Sequence, residues 1–181
     1  MSGRRVAIDV LDVAMLAAQR DAFSALLIDA VAGGASVHFL AALAKIDADR
    51  FWEKVAGEVG RGEAILLAAA ADGRIVGTVQ LRLTLPPSRP HAAEVAKLLV
   101  CSAVRRQGIG RALMIRLEDE ARARGRTLLT LDTEAGSAGD RLYAELGWMR
   151  LGEIPAYAQR PAGTLAAAAF YCKRVGRRIA A

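Results

Sequence analysis

A single α/β domain is the fold predicted by this sequence, and three observations predict it. First, 181 residues, 54% of them apolar and 24% charged, match one globular domain with a sizeable core and are too hydrophobic for a disordered chain. Second, the apolar spacing switches along the chain between the three-to-four-residue period of helices and the two-residue period of strands. Third, glycine- and proline-rich breaks separate these segments, and no internal repeat or low-complexity linker interrupts them. The resulting order is β-α-α-β-β-β-α-β-α-β-β, over one domain spanning 1–181.

Arg4–Val10 reads as a short strand, and Asp12 is placed to cap the helix after it, because its side-chain oxygen can accept from an orphan amide. Leu16, Phe23, Leu27 and Val31 mark one face of that helix, and Gly33-Gly34 stops it. A second helix begins near Asp49, carries Phe51, Trp52, Val55 and Val59 on its apolar face, and ends at Gly60 and Gly62. Glu63–Ala71 is an apolar strand, and Asp72-Gly73 is a hairpin signal, since both central residues of a type I′ turn need positive φ. Val79, Leu81, Leu83 and Leu85 then alternate with Thr78, Gln80, Arg82 and Thr84, predicting a strand with one face in and one out. The prolines of 86–90 force a loop. Ala92–Cys101 is a strand, the next helix runs to about Arg124 with Leu113, Leu117 and Ala121 inward, and Gly125 ends it. Thr127–Asp132 is a strand, Ser137–Leu146 a short helix, and Gly147–Gly152 and Leu165–Val175 the last two strands.

Several classes of function are excluded. No run of about 18 uncharged apolar residues exists for a membrane helix, and Asp9 and Asp12 interrupt any signal-peptide core. Two cysteines make no disulfide scaffold, and His38 and His91 lie far apart without ligand spacing, so no metal site is expected. A cytoplasmic protein is the expectation. The net charge of +6, carried mostly by arginine, suits an anionic partner: a phosphate-bearing cofactor or a nucleic acid. The arginines cluster around a glycine loop without interleaved aromatics, which makes nucleic acid the poorer choice.

Chemistry concentrates in 100–111, where an apolar strand runs into a basic loop, and Gly108 and Gly110 open a helix. Amides at a helix start lack intrahelical partners, the helix dipole adds positive charge, and glycines let a phosphate approach the backbone. Arg105, Arg106 and Arg111 surround the loop, so the product is a diphosphate cradle. It is not a P-loop, since no lysine comes after these glycines, and not a dinucleotide fingerprint, since the third glycine is missing.

Arg105-Arg106-Gln107-Gly108-Ile109-Gly110 fits the [RQ]-x-x-G-x-[GA] signature of the GNAT family of N-acetyltransferases, which bind acetyl-coenzyme A (acetyl-CoA). The element order resembles that family over nearly the whole chain, and Arg141–Trp148 resembles its tyrosine–glycine segment. Gly33–Val37, Glu94-Val95, 131–137 and 152–155 are similar to a subfamily, the tabtoxin-resistance acetyltransferases, which act on an amino-acid-like β-lactam toxin. The resemblance implies a mixed, mostly antiparallel sheet with helices on both faces, splayed where the cofactor enters, and an acetyl-CoA-binding core at about 92–150.

It also implies a site. Leu98, Leu99 and Val100 would pair through their backbone with the pantetheine arm, and an amide near Val100 would polarise the acetyl carbonyl. Arg105, Arg106, Gln107, Gly108, Ile109, Gly110 and Arg111 would hold the diphosphate. Tyr143 matches the family's general acid. An alkyl amine of pKa near 10 must lose a proton before it attacks, so a carboxylate base is needed. Glu94, as base or amine anchor, and Asp132 close behind it are the candidates. A family asparagine seven residues before the tyrosine is replaced here by Gly136, and the chain holds no asparagine, which leaves Ser137 or the backbone to make that contact.

The acceptor implied is a primary amine on a small molecule, with an antibiotic or amino-acid-like toxin as the expected class, and the protein a monomer or homodimer. The rivals are a protein lysine or N-terminal acetyltransferase and a non-catalytic coenzyme-binding regulatory module. His91 is expected at the surface and His38 in packing, while Trp52, Tyr157 and Tyr171 fit either the acceptor pocket or the core. Cys101 shows no nucleophile context, and Arg116, Arg122, Arg124 and Arg126 read as a solvated helix face.

Overall fold

The computed structural model describes residues 6–176. Strand β1 covers Val6–Leu11; Arg4 and Arg5 of the predicted strand lie outside the described residues. The first predicted helix is broken at Gln19 into α1 (Val13–Ala18) and α2 (Arg20–Ala32), and Asp12 caps α1 by accepting from the Met15 amide at 2.7 Å. Helix α3 is Lys45–Gly60, four residues longer at its start than its apolar face predicts. Strands β2 (Ala64–Ala71) and β3 (Arg74–Arg82) meet at Asp72-Gly73, whose φ values of 50° and 75° are those a type I′ turn demands. Strand β4 (Ala92–Val100) leads through a single 3-10 turn at Ser102–Val104 into α4 (Ile109–Ala123). Then come β5 (Leu128–Glu134), α5 (Ala138–Glu145), β6 (Met149–Gln159) and β7 (Leu165–Arg174).

The seven strands form one sheet in the order β1-β2-β3-β4-β5-β7-β6, antiparallel except between β4 and β5. One face packs on α4 and α5 through Leu113, Leu117, Leu129 and Tyr171; the other packs on α1–α3 through Leu16, Phe23, Leu27 and Trp52. Each such fully buried side chain contributes about 1.5–3 kcal/mol of transfer free energy. The two-sided cover corrects the reading of β3. Thr78 and Gln80 do not face solvent; both are fully buried beneath α1–α3. Thr78 donates its hydroxyl to the Leu67 carbonyl at 2.8 Å, while the Gln80 amide has no protein partner. The strand ends at Arg82, before Leu83 and Leu85. Strand β6 extends seven residues past its predicted end at Gly152, because β7 offers a partner along its length.

Two features of β4 shape the middle of the sheet. Thr78 pairs with Leu99 and Gln80 with Ala96, so Val79 alone faces both Lys97 and Leu98. This is a β-bulge, and Lys97 takes the left-handed conformation (φ 53°) within it. The extra residue reverses the facing of the rest of the strand: Val95 belongs to the α4 layer and Leu99 to the α1–α3 layer, although a regular strand would put both on one face. In addition, β4 and β5 pair only over Ala92–Glu94 and Leu128–Thr130. Beyond that they part, and β5 continues on β7 to Glu134.

Of the arginines predicted on a solvated helix face, Arg116 and Arg124 are exposed, while Arg122 in α4 and Arg126 beyond its end are half-buried. Arg126 donates to the carbonyls of Pro90 and Ala92, and Arg122 pairs with Glu118 and Asp119. Glu118 is itself buried, accepting from Trp148 Nε1 at 3.2 Å and Lys173 Nζ at 2.7 Å. Removing that carboxylate leaves a half-buried ammonium with the Leu146 carbonyl but no counter-ion, and an indole N–H without its acceptor. Glu118→Ala is therefore expected to cost about 3–5 kcal/mol of unfolding free energy, read by urea denaturation.

Candidate active site

The parting of β4 from β5 opens a cavity of about 630 Å³, lined by Leu98, Leu99 and Val100 on one wall and Thr133, Ser137 and Tyr143 on the other. The basic loop closes one end, with Arg105, Arg106, Gly108, Ile109, Gly110 and Arg111 in its lining. Gln107 lies in the same loop, exposed, but outside the lining. The Ser102 amide and hydroxyl bind the Asp29 carboxylate of α2 at 2.8 and 2.7 Å, which ties the loop to the helical layer.

Gly108 is left-handed (φ 81°), and a Cβ built on it meets nothing within 4 Å. The first intrahelical bond of α4 runs from the Ala112 amide to the Gly108 carbonyl, at 3.0 Å. The amides of the helix start thus have no intrahelical acceptor, and Gly108, Ile109, Gly110 and Arg111 all line the cavity. Arg105 and Arg106 are exposed beside them, whereas Arg111 is engaged with Glu145 at 2.7 Å. A strand edge open on its β5 side, leading to helix-start amides, to the Arg106 guanidinium and to an exposed Arg105 whose Nε donates to the Val100 carbonyl at 3.3 Å, fits a cofactor with an amide-bearing arm and a diphosphate. Ser137 lines this cleft, with its hydroxyl accepting from the Asp140 amide as the cap of α5.

A second cavity of about 330 Å³ shares Ser36, Val37, Leu98, Thr133 and Tyr143 with the first. It also contains Glu94, Asp132, Arg82, His38 and Lys97. The sequence-predicted Tyr143, Glu94 and Asp132 are thus brought together here. Arg82 holds Glu94 at 3.2 Å, across the β3–β4 pair. Asp132, at an exposed position, forms no ion pair or hydrogen bond among the described residues. Tyr143 is buried on α5, its ring flanked by Trp148 and Tyr171 with centroids 5.9 Å away. Burial, reinforced by the charge of Asp132, raises its pKa well above the ordinary phenol value, so it stays protonated through the physiological range.

Three polar residues of this cavity carry little sequence signal. His38, expected in packing, lines the cavity; burial and the nearby Lys97 charge lower its pKa, so it is neutral at pH 7. Lys97 and Arg82 read as ordinary strand cations; for Lys97 the one local hint is a lysine inside the apolar run 95–100. His91, in contrast, is exposed and contributes its carbonyl to the Thr127 amide. Trp52 and Tyr171 are core, and Tyr157 rests edge-on against Phe170.

Comparison with known proteins bears on this arrangement. The model of the acetyltransferase (GNAT) family matches residues 23–148. An aminoglycoside N(6')-acetyltransferase type 1 of Klebsiella aerogenes is 32% identical over 106 residues, covering 56% of this chain and 70% of the relative. An N-acetyltransferase from the hisH–hisA intergenic region of Azospirillum brasilense is 34% identical over 109 residues, covering 58% and 61%. The yncA protein of Salmonella typhimurium, solved with acetyl-CoA, superposes with a TM-score of 0.77 at 19% identity over 98% of both chains.

Proposed function

The chain belongs to the acetyltransferase (GNAT) family, and from that premise we propose an acetyl-CoA-dependent N-acetyltransferase whose acceptor is the primary amine of a small molecule. The carrying observation is the continuity of two cavities: a cofactor-shaped cleft meets, at Tyr143, a smaller one that holds two carboxylates. Residues 92–150 form the acetyl-CoA-binding core in this reading.

Leu98, Leu99 and Val100 would hold the pantetheine arm along the unpaired edge of β4, and the amides of 108–111 with Arg105 and Arg106 would hold the diphosphate. Bound acetyl-CoA supplies an activated thioester acetyl group. Asp132 takes the proton of the acceptor ammonium, because its carboxylate is unpaired. Glu94, held by Arg82, anchors the ammonium. A main-chain amide near Val100, at the end of β4, would polarise the acetyl carbonyl, and Tyr143 Oη, kept as a neutral phenol, would donate a proton to the departing thiolate and regain one as the attacking nitrogen loses its second proton on becoming an amide.

A small acceptor is favoured over a protein because the smaller cavity, lined by Ser36, Val37 and His38 together with the strand residues, has a volume of about 330 Å³ that suits a small ligand. The aminoglycoside acetyltransferase among the relatives supports an antibiotic, and the tabtoxin-resistance resemblance supports an amino-acid-like toxin. Free cysteines at half-buried positions suit a reducing compartment, in line with the cytoplasm. The test is release of free thiol from acetyl-CoA with a panel of amines. Turnover is expected with a small primary amine. Tyr143→Phe should leave acetyl-CoA binding unchanged and lower kcat by about 10²-fold or more. Acetyl-CoA binding without thiol release for any amine would make the protein a coenzyme-binding regulatory module instead.

A further inference from the structure

We infer that Lys97 is the docking point for an anionic group of the acceptor, so that the acceptor is an amine that also carries a carboxylate and not a polycation. This rests on the acetyltransferase reading and goes beyond it by naming the acceptor's second charge.

The Lys97 ammonium has neutral and aromatic neighbours. Its Nζ donates to the Val37 carbonyl at 2.8 Å and lies 3.4 Å from His38 Nδ1. The rings of Phe39 and Phe51 stand 5.9 and 5.8 Å away. Among the described residues no carboxylate lies within ion-pair distance of it. An ammonium withdrawn from water beside two aromatic rings gains from their π faces, but those contacts do not replace a counter-ion. The charged groups facing it are Arg82 from β3, Glu94 from β4 itself and Asp132 from β5, with the neutral but titratable His38 from the segment after α2. Burial, with the repulsion of Arg82, lowers its pKa to about 8, against the weaker support of Asp132 and Glu94.

The balance of charge in the smaller cavity then points to the ligand. Arg82 and Glu94 satisfy each other. What remains is one cation, Lys97, and one anion, Asp132, neither with an ionic partner among the described residues. A ligand complementary to that pair carries one ammonium and one carboxylate, as an amino acid does. An aminoglycoside, with several ammonium groups and no carboxylate, meets the unpaired Lys97 as a like charge. The chain therefore differs in expected substrate from what its Klebsiella relative is named for.

The pH dependence has a definite sign. Lys97 is charged below about pH 8 and attracts the carboxylate there; above that value the attraction fades.

The experiment is calorimetric titration of the protein, saturated with coenzyme A, with L-lysine and L-ornithine, with their decarboxylated counterparts cadaverine and putrescine, and with kanamycin. Binding of an amino acid at least tenfold tighter than its diamine and kanamycin is expected at pH 7, with the preference shrinking between pH 7 and 9. Lys97→Met should erase the preference while leaving coenzyme A binding intact, and Lys97→Arg should restore part of it. Equal or tighter binding of diamine or kanamycin, no binding of the amino acids, or a preference that survives Lys97→Met overturns the inference. Failure of the acetyltransferase reading shows separately, as absence of heat with coenzyme A and acetyl-CoA.

Discussion

Gly108→Glu is expected to abolish acetyl-CoA binding, with no heat in a titration that saturates the unmodified protein. Two effects act, one on folding and one on binding. Gly108 sits at φ 81°, a conformation that costs an L-residue about 1–2 kcal/mol. The carboxylate also enters the open space in front of the α4 amides, where a diphosphate is to sit. Like charges about 4 Å apart near a protein surface repel by about 4 kcal/mol. Since each 1.4 kcal/mol is tenfold, affinity should fall by roughly 10³-fold or more. Gly108→Ala separates the causes: it carries the strain without the charge, and a Cβ there meets no neighbour. Because the free protein already holds this φ, the strain falls on folding, so Gly108→Ala should lower Tm and leave acetyl-CoA binding within about tenfold. Equal binding by Gly108→Glu and the unmodified protein would remove the helix start from the cofactor site.

The second large effect concerns the two carboxylates. Asp132→Asn keeps shape and removes the proton acceptor, so kcat should fall by about 10²–10⁴-fold, with acetyl-CoA binding unaffected. Glu94→Gln acts differently. It releases Arg82 from its 3.2 Å partner and leaves a second unpaired cation in the acceptor cavity. Its main effect should be on the KM for the amine, with kcat within about tenfold. Steady-state kinetics with one amine at saturating acetyl-CoA decides between them. The reverse pattern, a collapse of kcat in Glu94→Gln and a mild effect in Asp132→Asn, would exchange the two roles. The reason for placing Asp132 first is tertiary: both carboxylates face one cavity, but a guanidinium occupies Glu94 alone.

Much of the candidate site is legible in the sequence because it is local. A strand, a basic turn and two glycines at a helix start are neighbours in the chain, and what they offer a phosphate comes from unpaired amides whatever the rest of the molecule does. The same holds for Asp12 as a cap and Asp72-Gly73 as a turn. Lys97 is illegible for the opposite reason. Its importance comes from Val37, Phe39 and Phe51, residues far away in sequence that close over it. Gln80 reads as solvent-facing because alternation reports a change of face, and it does not report whether the second face is covered.

By itself, then, the sequence determined the element types, their order apart from the break at Gln19, and the glycine turn whose helix-start amides lack intrahelical partners. These depend on periodicity and backbone preference over a few residues. The tertiary structure alone decided where β4 bulges and parts from β5, which carboxylate is left free, and which lysine stands in the smaller cavity without a counter-ion among the described residues. Those outcomes are set by pairing register and by packing between segments distant in the chain, where burial and neighbouring charge give a side chain its chemistry.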